Sequence, residues 1–220
     1  MVVVAGSTNK TIVKDYILKF LREKYGEEEV RGNPRSYNTE IGLPLAILYL
    51  DSGESSVIKW IKVLLRGTWK ALVESKFPSK LVLELGVDKR GDMEYLLGIV
   101  RPDVAIITNI EGSYSDTDSS LDDIFEEFRL LVEKVPKEGK ILLNFDDQRV
   151  SDLANLTEAE VVSYGFNEES KARARNLRVS VAGQSFDFSF RNEKELVEIR
   201  KYGRHYVYAW MVAKVIKSIL

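Results

Sequence analysis

The sequence predicts an α/β fold: three layers, with a mostly parallel sheet covered by helices and a small antiparallel hairpin toward the end. Three observations carry this expectation. Residues 1–21, MVVVAGSTNKTIVKDYILKFL, run from a β-branched strand (Val2, Val3, Val4) through a polar turn into a helix that begins near Thr11. Three later apolar runs, LVLEL at 81–85, DVAIITNI at 103–110 and KILLNFDD at 140–147, are nearly continuous, as strands covered on both faces are, and helical stretches separate them. From 173 to 190 the pattern alternates instead: Leu177, Val179 and Val181, a turn at Gly183, then Phe186, Phe188 and Phe190.

In chain order, Val13, Ile17, Phe20 and Leu21 follow helical spacing after the first strand, with Gly26 as C-cap and Glu27 to Glu29 as a solvated turn. Asn33-Pro34 marks a turn, and Thr39 is placed to cap a short helix carrying Ile41, Leu45, Ile47 and Leu48, with an irregular start at Gly42 and Pro44. From Val57 to Val73, apolar side chains lie on one face and Lys59, Lys62, Arg66 and Lys70 on another. That pattern is read as a helix packed by its apolar side, both tryptophans included, with a solvated lysine face rather than a nucleic-acid or membrane contact. Helices are expected around 91–99 and 120–134, a short strand at 161–165, and a last helix after Gly203-Arg204-His205 with Val207, Trp210, Met211 and Val215 inward.

Composition narrows the function. Hydrophobic residues make up 45% and charged residues 30% of the 220, which is ordinary for a folded chain, and without repeats or linkers a single domain, 1–220, is the simplest division. Lys and Arg number 32 against 34 Asp and Glu, so a net charge of -2 gives no case for nucleic acid or an anionic membrane. Cysteine is absent and His205 is the only histidine, which excludes thiol chemistry and polyhistidine metal sites. With no apolar run of membrane-spanning length and no room for a signal segment before Lys10, the expected setting is cytoplasmic.

The candidate site is the loop Gly6-Ser7-Thr8-Asn9-Lys10-Thr11. A strand, a small-residue loop with one lysine and one hydroxyl, then a helix is the plan of a phosphate-binding loop. The helix start offers unpaired N–H groups and the positive end of its dipole, Lys10 a full charge, and the Thr11 hydroxyl an oxygen for magnesium. Asn9 stands where such loops have glycine, and asparagine is among the few residues that tolerate positive φ. A strand and helix joined by a polar turn capped from Ser7 or Thr8 remains the plainer alternative. Glu84, a lone carboxylate near the end of an apolar strand, needs a partner: either magnesium or a nearby lysine. Asn144, Asp146 and Asp147 end another strand and either hold a base or ribose or cap the next helix. His205 opens a helix, where a structural role competes with a functional one.

Together these stretches resemble the central, ATP-binding domain of the Mur ligase family, most closely the MurF-like branch that joins D-alanyl-D-alanine to a cell-wall precursor. The carriers are GSTNKT at 6–11, NTEIGLPLAIL at 38–48, LELGVDKRGDMEYL at 83–96, RPDVAIITNI at 101–110, LLNFDD at 142–147 and GRHYVY at 203–208, in the family's order. The resemblance implies ATP with Mg2+, activation of a carboxylate as an acyl phosphate, and attack by an amine, as in peptidoglycan biosynthesis. It assigns Gly6, Ser7, Thr8 and Asn9 to the phosphate loop, Lys10 to the β- and γ-phosphates as catalytic residue, Thr11 and Glu84 to magnesium, and Asn144 and His205 to the adenine. It also implies that the family's amino- and carboxy-terminal substrate domains are missing, so that further domains or a partner chain would supply those sites. Besides Ile12, which stands in place of a second hydroxyl in the loop, two positions depart from the family. Tyr114 stands in place of a histidine, and Phe128 in place of a carbamylated lysine, which together serve a second magnesium; Glu126 or Glu127 is the nearest substitute oxygen. The alternative is a non-catalytic nucleotide-binding or regulatory module on the same fold.

Overall fold

The computed structural model describes residues 1–33, 37–73, 77–112 and 120–220. Among them, nine strands form one sheet in the order β2-β3-β1-β4-β5-β6-β7-β8-β9. The first six, β1 (Val2–Ala5), β2 (Val30–Gly32), β3 (Lys80–Glu84), β4 (Val104–Ile107), β5 (Lys140–Asn144) and β6 (Glu160–Gly165), are parallel to one another. Then β7 (Ala172–Ser180) adds in parallel to β6, and β8 (Gly183–Phe190) and β9 (Glu193–Ile199) complete an antiparallel meander.

The period of two in β1 shows how the layers arise. Val2 and Val4 enter one core with α1 (Lys10–Tyr25) and α7 (Arg204–Ile219), while Val3 and Ala5 enter the other. The second core is closed by α2 (Gly42–Leu48), α4 (Asp92–Ile99), α5 (Leu121–Lys134) and α6 (Gln148–Asp152). Trp210 ties α7 to α1 and to the meander: Phe20, Phe186 and Phe188 meet its ring edge-on at centroid distances of 6.0, 5.7 and 5.1 Å. At the start of α5 the Ser120 hydroxyl accepts from the Asp123 amide while Asp123 accepts from the Ser120 amide, a reciprocal capping box. Ser120→Ala should cost about 1 kcal/mol and lower the melting temperature by about 2–4 °C in a thermal melt.

The helices and strands expected from the sequence are present; the structure adds two strands to them and corrects two of the helices. The edge strand β2 is only Val-Arg-Gly, too short to show a period. The expected hairpin has a third strand, β9, whose EKELVEI buries only Val197 and Ile199, so its apolar signal is diluted by charge. The Thr39 side chain does not cap α2; its carbonyl accepts from the Leu43 amide instead.

The largest correction concerns α3 (Val57–Val73), whose apolar face points away from the protein. Leu64, Leu65, Trp69 and Leu72 are 64, 67, 64 and 80% exposed, and only Gly67 is buried. The helix sits on the body through a narrow stripe. Trp60 packs over Gly53 and donates to the Glu54 carbonyl at 3.1 Å, and Lys70 donates to the Leu48 carbonyl at 2.9 Å. Helical periodicity fixes which residues share a face, and it says nothing about which face is covered.

Candidate nucleotide site

The loop between β1 and α1 is bound sideways to the end of β4. Gly6, at φ 137°, lies so close that a Cβ there would be 2.0 Å from Thr108 Oγ1. The Ser7 and Thr8 amides donate to the Asn109 carbonyl and side-chain oxygen, both at 2.9 Å, and the Thr108 hydroxyl donates to the Thr8 carbonyl at 2.7 Å. Ser7 Oγ bridges to the Glu111 backbone, and Thr8 Oγ1 accepts from Asn109 Nδ2 at 2.7 Å. Both hydroxyls therefore lock the loop to the TNI stretch, and neither caps α1. The N-cap is Asn9, with no side-chain cap bond and left-handed φ 64° and ψ 4°, the conformation that lets asparagine replace glycine. Asn9→Gly should leave the melting temperature unchanged or slightly higher, while Asn9→Val should cost about 1–2 kcal/mol in the same melt.

Lys10 Nζ folds across the loop and donates to the carbonyls of Gly6 at 2.7 Å and Ser7 at 3.1 Å. Burial lowers its pKa from the usual 10.5, against the opposing pull of Glu84 and Asp88. One residue on, the Thr11 hydroxyl donates to Glu84 Oε2 at 2.9 Å. Glu84, 3% exposed, is a node: Asn38 Nδ2 donates to Oε1 at 2.9 Å, Lys14 Nζ lies 3.8 Å from Oε2, and its own amide donates to Asn33 Oδ1 at 2.8 Å. The lysine partner considered from sequence is thus present, as Lys14, and it shares the carboxylate with the Thr11 hydroxyl.

On the other side of the loop lies a cleft of about 300 Å³ lined by Asn9, Asn109, Asn144, Asp146, His205 and Tyr208, among others. Asn144 donates to the Thr108 carbonyl at 2.9 Å and accepts from the Asp146 amide at 3.1 Å. Asp146 takes the amides of Phe166 and Asn167 and the Tyr208 hydroxyl at 2.8 Å; burial, then this carboxylate, pushes the Tyr208 hydroxyl well up. Asp147 caps α6 through the Val150 amide and holds the Ile110 amide at 2.8 Å. The helix-cap alternative therefore describes Asp147. His205 tilts against Tyr206 at 4.4 Å, and Gly203, at φ 104°, makes room for its ring: a Cβ there would be 2.5 Å from His205 Cε1.

The second-metal positions are differently used. Phe128 is in the core, Glu127 accepts the Gly91 and Met93 amides at the start of α4 at 2.8 and 2.7 Å, and Glu126 pairs with Arg129 at 2.8 Å. Glu127 is thereby held at the start of α4, whereas Glu126 makes only an exposed ion pair. Tyr114 lies outside the described residues. Among the described residues no group of three or more Asp, Glu, His or Cys is poised to hold a metal.

The structure therefore brings Lys10, Thr11 and Glu84 to one side of the loop, and Asn144 and His205 to the cleft on the other. Sequence reasoning missed Lys14, Asn33, Asn38, Thr108 and Asn109. Lys14 had a signal, because it follows Lys10 by four residues and so shares its helix face.

Comparison with known proteins bears on the fold and the family. The family model described as the Mur ligase middle domain matches residues 69–216. UDP-N-acetylmuramate--L-alanine ligases are relatives: that of Dictyoglomus turgidum is 35% identical over 121 residues, 54% of this chain and 26% of its own length. That of Caldicellulosiruptor bescii is 27% identical over 121 residues, 54% of this chain and 27% of its own. The chain thus spans about a quarter of the length of the curated relatives it matches. Among solved structures, MurF from Acinetobacter baumannii superposes with a TM-score of 0.78 at 18% identity, over 99% of this chain and 42% of that one. MurF ligase from Thermotoga maritima, solved in complex with ADP, gives 0.76 at 19%, over 99% and 45%. A model match over well more than half of the chain, on a fold that these structures share, places it: this chain belongs to the Mur ligase middle domain family.

Proposed function

We propose that this chain is the nucleotide-handling middle domain of an ATP-dependent carboxylate-amine ligase of peptidoglycan precursor synthesis, working on the cytoplasmic side. One observation carries the reading: a single loop places a lysine and a hydroxyl-carboxylate pair on one side and an amide-lined cleft on the other. The residues fit a magnesium nucleotide. Thr11 Oγ1 and Glu84 Oε2 are two hard oxygen donors 2.9 Å apart, the kind of ligand magnesium takes beside phosphate oxygens. Lys10 Nζ rests on two loop carbonyls that a phosphate would replace as partner. Asn144 and His205 line the cleft where a base would lie.

In such a ligase the terminal phosphoryl group of ATP passes to a carboxylate oxygen, ADP leaves, and an amine then displaces phosphate from the acyl carbon. This chain's part is to hold and orient: the α1 N-terminus and Lys10 balance phosphate charge, Thr11 and Glu84 hold the cation, and the Ser7, Thr8, Thr108 and Asn109 hydrogen bonds keep the loop preorganised. Sequence relatives and structural neighbours carry the names of different Mur ligases, so the proposal is the chemistry common to both, with the MurF-like branch as its finer form. Sites for the carboxylate and the amine would come from further domains or a partner chain.

A second reading, nucleotide binding without transfer, is favoured by Phe128 in the core and by the engagement of Glu127 at the start of α4. Calorimetric titration with ATP and ADP, in magnesium and in chelator, tests the shared core of both readings. Micromolar, magnesium-dependent binding is the expected result, and no heat at millimolar ATP would refute it. Phosphate release that depends on an added carboxylate and amine would then decide for the ligase.

A further inference from the structure

Helix α3 is built unlike the other helices. It carries Val57, Ile58, Ile61, Leu64, Leu65, Trp69, Leu72 and Val73, each more than half exposed. At about 100° per residue these side chains span roughly half the circumference, and their centre faces away from the Trp60, Val63 and Gly67 stripe that meets the body. The helix is about 25 Å long at 1.5 Å per residue, so the apolar strip is far larger than the scattered single side chains of an ordinary surface. Lys62 and Arg66 are exposed along one border of the strip, with Lys59 and Lys70 behind them, and the helix contains no acidic residue. Lys59 is held by Glu54 at 2.6 Å and Lys70 by the Leu48 carbonyl. The family match begins at Trp69, so most of α3 lies ahead of it.

We infer that α3 is an interfacial helix that lays this strip into the surface of an anionic lipid bilayer. Charge decides between occupants. A second copy docking through the same face would bring together two helices that each carry Lys62 and Arg66 beside the strip and no acidic residue, which costs affinity. An anionic bilayer satisfies both halves: the acyl boundary takes the leucines and valines, and the headgroups take Lys62 and Arg66. Trp69, three residues from Arg66 and so beside it on the helix surface, suits the headgroup level. No described helix is long and apolar enough to cross a membrane, so contact is along the surface. The expectation of no membrane contact assumed that the apolar side was packed inward, and that side is exposed.

Flotation of the full chain with vesicles tests it, using phosphatidylglycerol mixed with phosphatidylcholine against phosphatidylcholine alone. The expected result is binding to the anionic vesicles with a blue shift of tryptophan emission, weakened at least tenfold by Lys62→Ala with Arg66→Ala and by high salt. Leu65→Glu with Leu72→Glu should abolish binding; both positions face solvent, so folding and the nucleotide site should be unchanged in circular dichroism and ATP titration. Equal binding to neutral vesicles overturns the charge argument. Failure to bind vesicles overturns the inference whether sedimentation shows a dimer, which would make the face a contact between copies, or a monomer, which would leave it to another protein surface.

Discussion

Lys10→Ala should weaken ATP at least tenfold while leaving the fold intact. Its ammonium donates to two backbone carbonyls within its own loop, and a triphosphate would offer charged oxygens in their place. Charge-assisted hydrogen bonds contribute about 1.5–3 kcal/mol, so tenfold is the lower end of the expected loss. Stability should behave differently from affinity. Because burial holds the folded pKa of Lys10 below its usual 10.5, the unfolded chain binds more protons between those two values. Stability contributed at this position therefore rises with pH through that window, and the rise should vanish in the alanine variant. Denaturant melts of both proteins from pH 7 to 10.5 would show it. An unchanged ATP affinity would remove Lys10 from the phosphate site.

Glu84→Ala should be the most destabilising of the site substitutions. It strips the Lys14 ammonium of its buried carboxylate, leaving the Asn33 carbonyl at 3.3 Å and the exposed Asp15 at 3.5 Å, and it orphans the Asn38 amide. Removing one member of a buried pair costs about 3–5 kcal/mol, or a melting-temperature drop of about 6–20 °C in a chain of this size. Adding Lys14→Met should restore most of that, since the uncompensated charge goes with it. Glu84→Gln keeps the side chain's shape but also leaves Lys14 without its counter-charge, so it is the pair Glu84→Gln with Lys14→Met that separates folding from metal binding: magnesium dependence should fall with only a modest change in stability. If Glu84→Ala melted like the parent, the node around Glu84 would not hold the fold together.

The readable parts of the sequence were those where one physical demand dominates. β1, β3, β4 and β5 are buried on both faces, so each left an unbroken apolar run, and Glu84 stood out because a carboxylate in such a run needs a partner. Asn9 was legible because few side chains accept the left-handed turn before α1. What escaped was set by packing between distant elements. Asn33 and Asn38 reach Glu84 from a loop with no period of its own, and Thr108 and Asn109 act by binding the β1–α1 loop from the neighbouring strand. β9 hid behind its charges, and α3 showed its face without showing its direction. Glu127 shows the same limit: its chemistry suited a ligand, but tertiary structure spends it on the start of α4.

The central claim is that Thr11 and Glu84 hold a metal beside nucleotide phosphates bound by Lys10. The most direct measurement is anomalous diffraction from crystals grown with Mn2+ and a non-hydrolysable ATP analogue. The account predicts a manganese peak within coordination distance of Thr11 Oγ1 and the Glu84 carboxylate, with phosphate oxygens completing its shell. A bound nucleotide whose manganese lies away from both residues, with Glu84 still paired to Lys14 and Asn38, would contradict it.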